Sequence, residues 1–193
     1  MKSVAVYCGS SSGNQPLHMQ QAQAMGQELA RRGLTLVYGG GRVGLMGAVA
    51  DATLGAGGRV IGVIPKFLAD KELAHRGCTE LHVVDTMHQR KLLMADLAEG
   101  FVAMPGGFGT LEELFEVLTW GQLGLHAKPV GLLNVAGFYD PLLALLDHMV
   151  SQELLRAENR QQLLQNASAA DLLDAMRTHR PAALEKWLDR STT

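Results

Sequence analysis

Residues 100–113 read Gly-Phe-Val-Ala-Met-Pro-Gly-Gly-Phe-Gly-Thr-Leu-Glu-Glu, and their pattern indicates the class of fold. A short apolar run, residues 101–104, passes through a glycine-rich turn into a segment with the pattern of a helix. A strand that is apolar on both faces is typical of a parallel sheet covered by helices on both sides. Three more glycine clusters, at residues 9–13, 39–47 and 55–62, adjoin similar apolar runs, so the same unit is predicted to repeat along the chain.

The order of strands and helices predicts an α/β fold, a Rossmann-like, doubly wound parallel sheet with helices on both faces. We expect one domain over residues 1–180 and a tail over residues 181–193, with residues 66–77 forming a less regular loop. Six strands are predicted, at 3–8, 35–38, 59–64, 79–84, 100–104 and 129–133. Helices are predicted at 16–32, 45–54, 87–97, 110–123, 139–151 and 168–178.

The composition excludes several classes of protein. Lys and Arg total 17 and Asp and Glu total 19, a net charge of −2, so we expect no nucleic-acid partner. No apolar run approaches the roughly 18 residues of a membrane span, and no signal peptide is recognised. Cys8 and Cys78 lie far apart and belong to no CxxC pair, which favours a cytoplasmic protein. The histidines have no metal-ligand spacing, so no metal is expected.

The loop after the first strand reads Gly9-Ser-Ser-Ser-Gly13 and matches the nucleophile elbow of α/β-hydrolases. Two features disfavour an elbow, because the motif follows the first strand and Asn14-Gln-Pro16 separates it from the helix. A polar turn and a loop that lines a ligand cleft both stay open.

The loop after the second strand reads Gly39-Gly-Gly-Arg-Val-Gly44 and fits the dinucleotide fingerprint GxGxxG. NAD is disfavoured because the following strand ends Ile64-Pro-Lys66, without a carboxylate for the ribose. A helix that packs closely against the sheet would explain the glycine at position 44. The three successive glycines that end at Gly41 are better explained by a backbone that approaches a ligand.

The loop at residues 105–113 is the strongest candidate site. Its glycines leave backbone amides free, and Thr110 is predicted as the N-cap of a helix whose N-terminus would bind phosphate. Glu113 would then lie one turn from that phosphate, where the attached sugar would sit. The competing interpretation is a capping box, Thr110-x-x-Glu113, in which Glu113 bonds its own backbone and Glu112 is solvated.

Two adjacent cationic residues, Arg90 and Lys91, lie near the start of the helix predicted after the fourth strand. Alone, they would be interpreted as a solvated helix turn. Beside a predicted anion site at the same edge of the sheet, they favour a phosphorylated ligand.

Together these residues resemble the Lonely Guy (LOG) family, the cytokinin riboside 5′-monophosphate phosphoribohydrolases of plants, fungi and bacteria. The resemblance covers residues from about 2 to 150. The motifs are Gly39-Gly-Gly-x-x-Gly-Leu-Met-Gly47, Met87-His-x-Arg-Lys91, Pro105-Gly-Gly-x-Gly-Thr-x-x-Glu113 and Thr119-Trp-x-Gln-Leu-Gly-x-His-x-Lys-Pro-Val-Gly-Leu-Leu-Asn134. The family usually has Glu within Met-His-Glu-Arg-Lys, where this chain has Gln89. Some members of the superfamily are called lysine decarboxylases, but the sequence has no pyridoxal-phosphate site, and we expect no cofactor.

The resemblance implies hydrolysis of the N-glycosidic bond in an adenine-type nucleoside 5′-monophosphate, with Arg90 and Glu113 as the catalytic pair. It also implies a homodimer with the site near the subunit boundary, although a helix 110–123 buried within one subunit stays an alternative. AMP nucleosidase activity, or a non-catalytic carrier of a nucleotide or of molybdenum cofactor, are the alternative functions. The expected nucleotide contacts are Gly41, Glu72, Lys91, Gly106, Gly107, Phe108, Gly109, Thr110, Glu112 and Thr119.

Overall fold

A computed structural model, which describes residues 1–179, has a single sheet of seven parallel strands at its centre. The predicted tail at residues 181–193 lies outside the described residues. The strands lie side by side in the order β4-β3-β2-β1-β5-β6-β7, and every neighbouring pair is parallel. Their bounds are β1 Ser3–Tyr7, β2 Thr35–Tyr38, β3 Val60–Pro65, β4 Glu80–Val84, β5 Phe101–Ala103, β6 Val130–Leu133 and β7 Leu163–Asn166.

Helices cover both faces of this sheet, which confirms the predicted α/β architecture. Helices α1, α2 and α8 pack on one face against alternate strand residues such as Val4 and Val6, and α4, α5 and α6 pack on the other face against Ala5 and Tyr7. The helix bounds are α1 Pro16–Arg31, α2 Gly44–Gly55, α3 Lys66–Leu68, α4 Met87–Leu97, α5 Phe108–Gln122, α6 Asp140–Ser151, α7 Ala157–Gln161 and α8 Ala169–Thr178. Every helix in the described part of the chain is too short or too polar to cross a lipid bilayer.

The prediction of six strands is wrong, because β7 adds a seventh at the edge of the sheet, preceded by α7. Strand β7 reads Leu-Leu-Gln-Asn, and only Leu163 is fully buried. An edge strand needs no continuous apolar run, since one side of it faces solvent. The pattern that identified the inner strands is therefore absent from β7.

The prediction of a loop for residues 66–77 is also wrong in part. Helix α3 is followed directly by one π-helical turn, Ala69–Leu73. Neither piece is long enough to produce a helical repeat of apolar residues, which is the signal on which the prediction depended.

The sheet changes winding direction between β1 and β5. The chain proceeds from β1 outward to β4 on one side, then returns to β5 on the other side of β1. The loops that follow β1 and β5 meet there, and the Gly9 amide donates to the Pro105 carbonyl oxygen at 3.1 Å. Such a switch point leaves a crevice at the carboxyl ends of the strands.

Candidate active site

A cleft of about 300 Å³ lies at this switch point. Five of its lining residues come from the loops after β1 and β2, and the others come from β3, the segment after it, α2, α4 and α5. The residues that line it are Cys8, Ser10, Gly39, Gly41, Val43, Met46, Ile64, Leu68, Leu73, Met87, Arg90, Gly109, Thr110, Glu112 and Glu113.

The N-terminus of α5 points into one end of the cleft. The helix begins at Phe108 with Gly107 as its N-cap, so the prediction of Thr110 as N-cap is wrong by one helical turn. A glycine N-cap has no side chain with which to occupy the first amides of the helix, and these lack intrahelical partners. A Cβ at Gly106 would overlap the Thr110 hydroxyl, so a glycine there lets the turn pack tightly against α5. This helix end has the properties of an anion site.

The earlier start of α5 also removes the capping-box interpretation of Glu113. With Gly107 as N-cap, Glu113 belongs to the second turn of the helix, and no side chain caps its first turn. Glu113 is instead buried and lines the cleft, one helical turn beyond Thr110.

Arg90 and Glu113 meet across the cleft from α4 and α5. Arg90 Nη1 lies 3.0 Å from Glu113 Oε1, and both side chains are largely buried. Arg90 Nε also donates to the Val63 carbonyl oxygen at 3.3 Å. A Cβ at Gly39 would overlap Arg90 Nη2, so the glycine at the end of β2 makes room for the guanidinium. The structure thus brings the predicted catalytic pair together.

The Glu113 carboxyl group is unusual in two respects. Burial raises its pKa above the ordinary value of 4.5, and the nearby Arg90 charge opposes that rise. Its Oε1 atom is buried yet accepts no hydrogen bond within the described residues, since the Arg90 contact lacks hydrogen-bond geometry. Arg90 is thus its one charged partner in the described residues, and the carboxyl group of this cleft-lining residue keeps acceptor capacity for a ligand.

Lys91 lies behind this pair and does not line the cleft. Its ammonium is buried, bonds to the Glu112 carboxylate and donates to Glu116 Oε1 at 3.0 Å. Glu112 lines the cleft, whereas Glu116 does not. Lys91 therefore links α4 to α5 and fixes one of the carboxylates at the rim.

Of the remaining residues predicted to contact the nucleotide, some line the cleft and others do not. Gly41 and Gly109 line the cleft, and the Phe108 side chain is 94% exposed beside it. Thr119 lies on the exposed face of α5, away from the cleft, and its hydroxyl donates to the Phe115 carbonyl oxygen at 2.7 Å. Glu72 belongs to the π-helical turn, and its side chain is outside what the structure describes.

Gln89, the departure from the usual family motif, closes the N-terminus of α4. The backbone amide of Gln89 donates to Thr86 Oγ1 at 3.1 Å. Its side-chain Oε1 accepts from the backbone amides of Asp85 at 2.8 Å and Thr86 at 3.3 Å. This is a capping box, and a glutamate oxygen would accept the same bonds. Gln89 thus sets the direction of the helix that carries Arg90 without entering the cleft.

The apolar half of the cleft was missed by the sequence interpretation. It consists of side chains from four separate segments, and nothing in their spacing links them. The first loop does contribute Cys8 and Ser10, as expected for a loop that lines a ligand cleft. The apolar lining residues are Val43, Met46, Ile64, Leu68, Leu73 and Met87.

Comparison with known proteins places this chain in a family. Residues 46–176 match the family model described as "Possible lysine decarboxylase". The cytokinin riboside 5′-monophosphate phosphoribohydrolase of Rhodococcoides fascians is 52% identical over 164 residues, covering 84% of this chain and 83% of that protein. The enzyme called LOG from Oryza sativa subsp. japonica is 48% identical over 170 residues, covering 88% of this chain and 70% of the rice protein.

Solved structures share this fold at much lower sequence identity. The molybdenum cofactor binding protein of Rippkaea orientalis superposes with a TM-score of 0.68 at 22% identity, covering 91% of this chain and 95% of that one. At that identity the likeness concerns the fold alone. The two hydrolases, by contrast, match closely over most of their own length. The chain belongs to the LOG family, and its cleft contains the Arg90 and Glu113 pair that the family resemblance identified.

Proposed function

We propose that the protein hydrolyses the N-glycosidic bond of adenine-type nucleoside 5′-monophosphates, cytokinin riboside 5′-monophosphates among them, to free base and ribose 5-phosphate. The observation that carries this proposal is the largely buried Arg90–Glu113 pair on the cleft, one turn from an open helix N-terminus. The names of the two relatives give the same reaction.

The phosphate group binds at the start of α5. The amides of Gly107, Phe108, Gly109 and Thr110 belong to the N-cap and first turn, where a helix has its positive end. Gly106 supports them by allowing the turn to lie against Thr110. Because this contact is remote from the bond that breaks, its binding energy orients the sugar. Nucleosides without the phosphate should therefore be poor substrates.

The ribose then lies against Glu113. As the bond between C1′ and the base nitrogen breaks, positive charge develops on the sugar, and a carboxylate next to it stabilises that charge. Water adds its oxygen to C1′, and its proton goes to Glu113 and finally to the departing base. Arg90 keeps its proton, because a guanidinium is too weak an acid to release it, and serves to hold Glu113 and the nucleotide.

Each of the other residues expected to contact the nucleotide has its own proposed role. Glu112 lines the cleft and contacts the nucleotide, with Lys91 fixing it from behind. Gly41 lets the backbone after β2 approach the substrate. Glu72 and Thr119 stay proposed contacts, and for Thr119 the contact would require a second subunit to lie over α5.

We further propose a homodimer in which the exposed faces of α4 and α5 meet. Leu92 on α4 and Phe108 and Phe115 on α5 expose apolar surface. A contiguous patch of exposed apolar side chains is typical of an interface between proteins. A cytoplasmic location is proposed as well, since Cys8 and Cys78 are both free thiols.

Purified protein should release base from AMP and from isopentenyladenosine 5′-monophosphate, detected by chromatography, and release far less from the corresponding nucleosides. Glu113→Gln and Arg90→Ala should abolish most of that release while the variants remain folded. Full activity in both variants would refute the assigned roles. Binding of the nucleotide by the native protein without any release of base would instead support a carrier.

A further inference from the structure

One wall of the cleft is built from a segment with little regular structure of its own. This wall segment, residues 66–76, contains α3 and the π-helical turn, and it contributes Leu68 and Leu73 to the apolar half of the cleft. Short helical pieces of this kind have few internal hydrogen bonds. The position of the wall segment therefore depends on its attachments to neighbouring elements.

The backbone of the wall segment is attached to the loop after β2. The Arg42 amide donates to the Leu73 carbonyl oxygen at 2.9 Å, and the His75 amide donates to the Gly40 carbonyl oxygen at 2.8 Å. Between these bonds, Gly41 and Ala74 form an isolated antiparallel bridge. These bonds fix the end of the segment, but they attach it only to another loop.

The His75 side chain makes a second attachment, to a helix. Its Nδ1 accepts a hydrogen bond from the Gly77 amide at 3.1 Å, so in the neutral ring Nε2 carries the proton. Nε2 lies 2.9 Å from Asp51 Oδ1 on α2 and donates to it. The ring is 12% exposed, whereas the Asp51 side chain is 71% exposed. A hydrogen bond to a carboxylate is stronger than one between neutral groups.

Helix α2 is a firm support for this bond. It approaches α1 so closely that a Cβ at Gly26 would overlap the Val49 carbonyl oxygen. The same helix carries Met46 into the cleft, where it faces the loop that holds Gly41. The His75–Asp51 bond thus joins the two elements that supply Leu73 and Met46 to a single apolar surface.

We propose that His75 is a positioning residue for the base end of the cleft: bonded to Asp51, it holds Leu68 and Leu73 in place beside Met46. This inference rests on the proposed function, in which the phosphate lies at the start of α5 and the base lies toward the apolar half. Loss of the bond should weaken binding of the base and leave binding of ribose 5-phosphate unchanged.

The test compares His75→Ala and Asp51→Ala with Asp51→Asn, whose amide oxygen can still accept from Nε2. Asp147→Ala is the matched control, because Asp147 is also an exposed helical carboxylate, bonded to Arg160 at 2.8 Å, and does not line the cleft. The measurements are KM and kcat for isopentenyladenosine 5′-monophosphate and the inhibition constant of ribose 5-phosphate.

We expect both alanine variants at the bond to raise KM about fivefold, the size of one hydrogen bond, with kcat changed less than about twofold. The inhibition constant of ribose 5-phosphate should stay at its native value. Asp51→Asn, which keeps a weaker bond, should raise KM less than Asp51→Ala does, and Asp147→Ala should match the native protein in all three quantities. If His75→Ala fails to fold, Asp51→Ala, at an exposed position, carries the test.

A native KM in Asp51→Ala would overturn the proposal. So would a parallel rise in the inhibition constant of ribose 5-phosphate, because it would mean that the whole cleft had loosened. If the native protein releases no base, the proposed function fails separately, and calorimetric dissociation constants of the nucleotide and of ribose 5-phosphate replace the kinetic ones. The alanine variants must then bind the nucleotide more weakly while their dissociation constant for ribose 5-phosphate stays at the native value.

Discussion

At the scale of single residues, the site depends on one acid that its surroundings make costly to ionise. Burial raises the pKa of Glu113 and Arg90 only partly opposes it, so the folded protein binds this proton more tightly than the unfolded chain does. Between the ordinary value of 4.5 and the raised one, the folded state therefore loses stability as the pH rises. The side chain that we propose for catalysis thus destabilises the fold at neutral pH.

Replacing Glu113 by Gln should reveal this cost. We expect the free energy of unfolding of Glu113→Gln, relative to that of the native protein, to be higher near pH 8 than near pH 4, because only the native protein contains a buried carboxyl group that is costly to ionise. Urea denaturation at the two pH values measures it. A relative stability that does not vary with pH would mean that Glu113 ionises freely in the folded state.

Gly39 controls Arg90 by leaving space for it. In Gly39→Ala the new Cβ would overlap Arg90 Nη2 and displace a guanidinium at the end of a flexible side chain, so the fold should survive. We expect kcat/KM to fall about a hundredfold, as a displacement of about 1 Å at a catalytic group can produce. Gly55→Ala is the control, because nothing lies within 4 Å of its Cβ position. Equal activity in the two variants would remove Arg90 from the mechanism.

At the scale of elements, two helix starts orient the cleft, and the sequence distinguished them poorly. The bounds of α4, Met87–Leu97, agree with the prediction, and its capping box uses Thr86 and Gln89. The pattern Thr110-x-x-Glu113 also fits a capping box, yet it forms no cap, because the helix already begins at Phe108. Residue types alone could not tell a cap from a site. The difference comes from Gly106 and Gly107, which let the chain enter the helix a turn earlier.

The cap of α4 can be tested by substitution. Thr86→Ala should lower the free energy of unfolding by about 1 kcal/mol, because the Gln89 amide loses its acceptor. Gln89→Glu should retain both stability and activity, since its carboxylate accepts the same two backbone bonds. Thermal denaturation and base release measure the two effects. Loss of activity in Gln89→Glu alone would indicate that Gln89 acts on the substrate.

At the scale of the whole molecule, apolar runs bounded by glycines predicted the layers of the fold, since each inner strand must be buried on both faces. The bounds of β2, Thr35–Tyr38, agree with the prediction for that reason. Strand β7 was not predicted, because a strand at the edge of the sheet does not need to be apolar on both faces. The apolar half of the cleft was not predicted either. Met46, Leu68 and Leu73 come together only in the folded protein, and their spacing along the chain does not indicate it.

The central claim is that a phosphorylated ribose lies between the start of α5 and Glu113. A crystal structure with ribose 5-phosphate measures this most directly. We expect the phosphate oxygens within hydrogen-bond distance of the amides of Gly107 to Thr110, and a ribose hydroxyl bonded to the Glu113 carboxyl group. Phosphate bound elsewhere, or Glu113 facing away from the sugar, would contradict the account.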